Sequence, residues 1–175
     1  MRLRLVLVGI ALVLTACGGD TATERTGEPA TIATNRVASG EELPDATLNG
    51  VDGSEVTTRD LLGTPLVINF WYSTCEPCRR EMPAFAAAHA TFGDRVTFLG
   101  VNMYDSAVAA SNFAERYGVN YDILLDTNGE LVGKLGIALA PTTILVDAEG
   151  TIVHQESGEL TEGEITALIN EWFRA

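Results

Sequence analysis

Cys75-Glu76-Pro77-Cys78 sets two thiols one helical turn apart, directly after the apolar run Pro65 to Trp71. A C-x-x-C pair where a strand ends and a helix begins is suited to reversible dithiol–disulfide chemistry. The start of a helix presents unpaired backbone N–H groups and the positive end of its dipole, and both favour the thiolate of the first cysteine. The thiolate is the species that attacks a disulfide, so Cys75 is the candidate nucleophile, expected to be exposed at the helix start. Cys78 falls on the same helix face, deeper, and is the candidate resolving thiol. Pro77 supplies a dihedral suited to a first helical turn and lacks an N–H that would have no partner there. Glu76 brings negative charge to the pair and Arg79 and Arg80 positive charge; the sequence leaves open which prevails.

The third cysteine, Cys17, ends a leader. Met1 to Ala16 carries Arg2 and Arg4, then the apolar stretch Leu5 to Leu14, then small residues, the layout of a secretory signal. The apolar stretch is short of the roughly 20 residues that span a bilayer. Leu14-Thr15-Ala16-Cys17 resembles the lipobox of bacterial lipoproteins, in which the cysteine carries lipid and becomes the first residue. The alternative is a secreted protein cleaved near Ala16, with Cys17 a free thiol. Gly18 to about Gly40 is rich in Gly, Thr, Ala and acidic residues without apolar periodicity, and reads as a flexible tether over residues 17–40. Residues 41–175 suit one domain with its own core.

The chain carries 24 acidic and 11 basic residues, net −13; without Arg2 and Arg4 the mature part keeps 9 bases and carries −15. So acidic a surface argues against nucleic acid and against adsorption on anionic lipid.

Turn signals at Asn49-Gly50 and Asp52-Gly53 predict a hairpin of Leu43 to Leu48 with Ser54 to Thr57, then a helical turn at Thr58 to Leu62. Leu66 to Trp71 is nearly continuous apolar sequence, as in a central strand covered on both faces. The helix that opens at Cys75 runs to about Thr91, and Pro83 inside it predicts a kink. Further strands are expected at Val96 to Val101, Asp122 to Leu125, Thr142 to Val146 and Thr151 to Gln155. Helices are expected at Ser106 to Tyr117, Glu130 to Leu135 and Thr161 to Phe173, the last capped by Thr161 with Glu164. Strands alternating with helices and a closing hairpin give a mixed α/β sheet with helices on both faces.

In this register the chain resembles the thioredoxin superfamily over most of Glu41 to Ala175. Asn69-Phe70-Trp71 precedes the cysteines, Pro83 follows Cys78 by five residues, and Ala140-Pro141-Thr142 follows Gly136-Ile137. The leading hairpin and the helix and strand inserted at Ser106 to Leu125 look like the membrane-anchored TlpA/ResA branch, and Cys75 to Pro83 is similar to the ResA type. The resemblance implies a thioredoxin-like fold and a cis Ala140–Pro141 bond beside the dithiol, where an ordinary trans proline is the alternative. It also implies that Ala140 and Pro141 orient the substrate strand by backbone contacts, a short β-augmentation. Thr74, where the family often has Trp, and Glu76 and Pro77 would complete the substrate surface.

In the ResA type the residue matching Glu81 lines the active site and influences cysteine ionisation. A partly buried carboxylate near thiols opposes their ionisation and can relay protons; the alternative is an exposed carboxylate paired with a nearby Arg. Asn69 stands where many thioredoxins have a buried aspartate, and an amide takes no proton at working pH, so proton handling for Cys78 falls to Glu81 or water. Trp71 and Tyr72 are expected to pack behind the site, and His89 and His154 to have surface or packing roles. Peroxidase chemistry is excluded, since Ile68 and Tyr72 occupy the positions where it needs Pro and Thr or Ser.

The reading that results is an extracytoplasmic thiol–disulfide oxidoreductase, lipid-anchored to the cell membrane at Cys17. The resemblance implies a reductase of protein disulfides, among them apocytochrome c during cytochrome c maturation, recharged by a membrane thiol–disulfide donor. A monomer is expected, with no cofactor, no metal site and no nucleic-acid partner. One alternative is an exported oxidase that installs disulfides. Another is a chaperone binding Cu(I) through Cys75 and Cys78, since thiolates suit that ion, although Met82 and Met103 are isolated.

Overall fold

The protein, seen here in a computed structural model, is described over residues 34–173. The leader, Cys17 and most of the tether lie outside the described residues. In chain order the elements are β1 (Thr47–Gly50), β2 (Glu55–Thr57), a 3-10 turn (Thr58–Leu61), β3 (Leu66–Trp71), α1 (Glu76–Phe92) and β4 (Thr97–Asn102). They continue with α2 (Ala107–Arg116), β5 (Asp122–Leu125), α3 (Glu130–Leu135), β6 (Thr142–Val146), β7 (Ile152–Ser157) and α4 (Glu162–Trp172). The seven strands form one sheet in the order β2-β1-β5-β4-β3-β6-β7.

The central strand explains the layering. Every residue of β3 is buried, and successive side chains point to opposite faces. Val67 and Trp71 join α1, α2 and α4 in one core cluster, through Met82, Phe85, Phe113 and Ile165. Leu66, Ile68 and Phe70 face the other way and pack with Leu131 and Leu135 of α3 and with Leu48 of β1. Asn69 shares the parity of Val67 and Trp71, so its amide is aimed at α1. β3 runs parallel to β4 and antiparallel to β6. β5 lies parallel to β4 and antiparallel to β1, which places the inserted α2–β5 unit between the hairpin and the rest of the sheet. This is a thioredoxin-like α/β fold with helices on both faces.

Local chemistry sets several boundaries. Thr161 and Glu164 form the expected capping box at the start of α4. α3 begins after Gly129, which has no side chain to offer, and the buried Asp126 caps it instead: its carboxylate accepts from Glu130 N and Val132 N, each at 2.8 Å. α1 continues from Glu76 to Phe92 with Pro83 inside it.

Two expectations are corrected. β1 starts at Thr47, not Leu43, because Pro44 has no N–H for a ladder; Leu43 N instead donates to Gly150 O at 2.8 Å, and Glu42 bridges Thr151. The tether does not extend to Gly40. Asn35 to Glu41 runs as a strap along β7: Gly40 N donates to Ile152 O (2.7 Å) and Ile152 N to Glu41 O (2.8 Å). Gln155 holds it further, its Oε1 accepting from Ala38 N (2.9 Å) and its Nε2 donating to Arg36 O (2.8 Å). Ala38 is wholly buried. Backbone pairing and one buried methyl, neither visible as periodicity, tie this polar segment to the domain.

Candidate active site

Cys75 is the N-cap residue of α1, with extended backbone (φ −74°, ψ 110°), and Cys78 lies in the first turn. Cys75 N donates to Tyr72 O at 3.1 Å, and Cys75 Sγ accepts from Cys78 N at 3.2 Å. A sulfur thus occupies the place of a capping oxygen, against the N–H groups that an incipient helix leaves open. The two cysteines are joined as a disulfide, with their Cα atoms 5.3 Å apart. Cys75 is not exposed as expected: it retains 3% of its accessible surface, and Cys78 none. Of the two residues Cys75 keeps the larger exposure, but the opening is narrow.

The loop ahead of Cys75 is fixed by a network that the sequence did not single out. Asp105 accepts from Ser73 N (2.6 Å), Ser73 Oγ (2.7 Å) and Asn102 Nδ2 (2.7 Å). Asn102 Oδ1 in turn accepts from Tyr104 N (3.1 Å) and Asp105 N (2.7 Å). The signal was present as Asn-x-x-Asp directly after a strand, an Asx-turn pattern. It also presents Tyr104, 70% exposed, edge-on to Tyr72 at 5.3 Å.

The Ala140–Pro141 peptide is cis. Pro141 is buried and Ala140 half-buried, packed against the cluster that contains both cysteines. A groove of about 460 Å³ brings together Pro77, Leu139, Ala140, Pro141 and Ser157, with Arg80 and Glu159 at its other side. Thr74 and Glu76 are exposed and do not line it. Glu76 turns to the arginines, at 3.1 Å from Arg79 Nη1 and 4.0 Å from Arg80 Nη1, while Arg80 Nη2 meets Glu159 at 2.7 Å. The charge contest left open by the sequence therefore resolves into exposed ion pairs, each guanidinium facing a carboxylate.

Glu81 is buried, with 2% of its surface exposed, and among the described residues no arginine pairs with it. Its Oε1 accepts from Asn69 Nδ2 at 2.8 Å and its Oε2 from Leu160 N at 3.1 Å. Burial pushes its carboxyl up to about 7; the bonds from Asn69 and Leu160 pull it down and the charge of Glu159 adds a smaller upward push. Glu81 forms part of the wall of a second cavity, also about 460 Å³, with Pro83, Leu160 and Thr161, and the Arg80–Glu159 pair stands between this cavity and the groove. A carboxyl that titrates near neutrality, one helical turn from a buried thiol, can take up and return a proton.

Trp71 is fully buried, stacked on Phe113 at 4.6 Å between ring centroids. His89 packs edge-on to Phe98 and Tyr121, and His154 stacks on Trp172. Among the described residues, no three His, Cys, Asp or Glu side chains converge on a common point.

The Redoxin family matches residues 38–169. The thiol–disulfide oxidoreductase ResA of Bacillus subtilis (strain 168) is 33% identical over 135 residues, covering 77% of this chain and 75% of that protein. ResA of Geobacillus thermodenitrificans (strain NG80-2) is 32% identical over 130 residues, covering 74% and 75%. Among solved structures, MTB dsbF in its mixed oxidized and reduced forms is 28% identical with a TM-score of 0.67, over 72% of this chain and 93% of that one. With a capped, paired C-x-x-C dithiol at the head of α1 and these relatives across three quarters of its length, the chain belongs to the Redoxin family, as a thioredoxin-fold thiol–disulfide oxidoreductase of the ResA type.

Proposed function

We propose that the protein is a lipid-anchored extracytoplasmic reductase of protein disulfides, with apocytochrome c before haem attachment as a substrate. The observation that carries the direction of electron flow is the charge balance around the dithiol. A strongly oxidising pair of this kind owes its potential to a stabilised reduced form. Here the helix N-terminus favours a Cys75 anion, but Arg79 and Arg80 are engaged by Glu76 and Glu159, and Glu81 is a buried acid one turn from Cys78. The reduced pair gains little from such surroundings and gives up its electrons readily.

In the proposed cycle, Cys75 thiolate attacks one sulfur of a substrate disulfide lying along the groove beside Ala140–Pro141. That forms a Cys75–substrate disulfide and expels the other substrate sulfur as a thiolate. Glu81 carboxylate takes the Cys78 proton, and Cys78 thiolate attacks Cys75 Sγ. The second substrate thiolate leaves, and two electrons have passed from the protein to the substrate. A membrane thiol donor reduces the Cys75–Cys78 disulfide by the reverse exchange. Thr74, Glu76 and Pro77 flank the path of the substrate.

The signal layout of Met1 to Ala16 and the lipobox-like Leu14 to Cys17 support anchoring at Cys17. No helix among the described residues is long and apolar enough to cross a membrane.

The experiment is to trap the mixed disulfide with Cys78→Ser in the native envelope, identify the partner, and measure the potential of the wild-type pair. Apocytochrome c as the trapped partner and a potential toward about −270 mV are expected. A potential near −120 mV, or insulin reduction that survives Cys75→Ser, overturns the reductase reading.

A further inference from the structure

We infer that Asn35 is a positioning residue for substrate binding: its side chain holds the segment Ala138 to Thr142 that forms one wall of the groove. The inference rests on the reading that substrate lies beside Ala140–Pro141. Asn35 Oδ1 accepts from Ala138 N at 2.7 Å and from Leu139 N at 2.8 Å. Its Nδ2 donates to Thr142 Oγ1 at 2.6 Å and to Ser157 Oγ at 2.8 Å. The Thr142 hydroxyl donates on to Leu139 O at 2.8 Å.

Among the described residues, the N–H groups of Ala138 and Leu139 have no main-chain partner. They sit on an exposed stretch between α3 and β6, where nothing in the sheet ladder fixes them. One carbonyl oxygen from outside the loop satisfies both. The same amide reaches Thr142 and Ser157, which face each other across β6 and β7. Leu139 and Ser157 both line the groove, so Asn35 ties its two strand-side edges to each other from behind.

Asn35 is itself held. Arg36 N donates to Gly136 O at 2.9 Å, and Gln155 fixes Arg36 O and Ala38 N. Arg36 lies so close to Gly136 that a Cβ on that glycine would stand 2.8 Å from Arg36 Cβ. The side chain therefore meets the loop with its backbone already placed, and little entropy is lost in forming the clamp. Backbone groups that must pair with an incoming strand are presented in one geometry rather than several, and pre-arrangement of this kind is felt in binding.

The test uses the full chain, with insulin as the protein disulfide and hydroxyethyl disulfide as a small one that needs no groove. Asn35→Ala is expected to raise KM for insulin about tenfold, the loss of one or two hydrogen bonds' worth of pre-arrangement. kcat, turnover of the small disulfide and the reduction potential are expected to stay as in wild type. Amide hydrogen exchange at Ala138 and Leu139 is expected to quicken. Asn35→Asp, whose carboxylate keeps the acceptor for both N–H groups but loses the donor to Thr142 and Ser157, is expected to recover part of the KM. An unchanged KM and unchanged exchange in Asn35→Ala overturn the inference, as does an equal loss toward both disulfides or a shifted potential. Wild-type protein that exchanges with the small disulfide but never with insulin overturns the functional reading, and the inference with it; failure confined to the variants overturns the inference alone.

Discussion

Asn69 Nδ2 donates to Glu81 Oε1 at 2.8 Å, while Asn69 Oδ1, on the same buried amide, has no partner among the described residues. The amide is thus arranged for an ionised Glu81. A protonated Glu81 offers a hydrogen of its own, and a half-turn of the Asn69 amide would bring Oδ1 round to receive it. Either protonation state finds a partner at the cost of one side-chain rotation, so burial raises Glu81 without excluding its charged form.

Stability should carry the signature of this carboxyl. Its ordinary value of 4.5 rises to about 7 in the folded protein. Between those values the native state binds more protons than the unfolded chain, so stability falls as pH rises through that window. The contribution is on the order of 3 kcal/mol. Urea unfolding of the oxidised protein at pH 5 and pH 8 is expected to show Glu81→Gln gaining on wild type by up to that amount at the higher pH. A difference between the two proteins that does not change with pH would contradict it.

Turnover should respond in the opposite sense. The carboxylate form is the one able to accept the Cys78 proton, so resolution of a mixed disulfide is expected to quicken with a midpoint near pH 7. Glu81→Gln is expected to slow that step about a hundredfold and to flatten its pH profile. Single-turnover quenching of a preformed Cys75 mixed disulfide reads the step directly, and an unaltered profile in the variant would assign the proton to water.

Asp105→Ala leaves Ser73 N–H and Asn102 Nδ2 without their acceptor at the mouth of the site. A cost of about 1–3 kcal/mol is expected, with faster amide exchange at Ser73. Denaturant midpoints and exchange rates at Ser73 and Tyr104 check both.

Gly100 lies on β4 where a Cβ would stand 2.6 Å from Ile123 Cδ1 and 2.8 Å from Trp71 Nε1. Ile123 can swing its terminal methyl; Trp71 is pinned against Phe113. Gly100→Ala is expected to destabilise by about 1–3 kcal/mol, and Trp71→Phe in the same chain to recover part of it. Equal melting temperatures for Gly100→Ala and wild type would show that the core yields more than its packing implies.

The elements that this chemistry needs were legible because they have local signatures. An unbroken apolar run specifies β3, the C-x-x-C and Pro77 mark the head of α1, and Thr161 with Glu164 announces α4. Side-chain environments set by distant segments were not. Glu81 is buried and receives the N–H of Leu160, 79 residues on. Cys75 lies in a buried cluster against which Tyr72 and Ala140, distant in sequence from each other, also pack. Asn35 to Gly40 read as tether because its composition is largely polar and, of its two apolar residues, only Ala38 is buried while Val37 stays exposed; what fixes it is hydrogen bonding to β7, which leaves no hydropathy pattern. Pro44 was readable as an obstacle to a ladder, and its effect on β1 was missed by extending the hairpin too far.

The strap also bears on the open edge of the sheet. β7 is the outermost strand on its side of the sheet, and a bare outermost strand is a template on which a second chain can lay itself. Arg36 to Glu41 occupies the N–H and C=O groups of Ile152 and the side chain of Gln155, so the start of that template is covered within the molecule. A chain cut back to Glu42 would keep its dithiol, lose the buried Ala38 and the Asn35 clamp, and expose that rim. At high concentration it is expected to join copies edge to edge without any change to a catalytic atom.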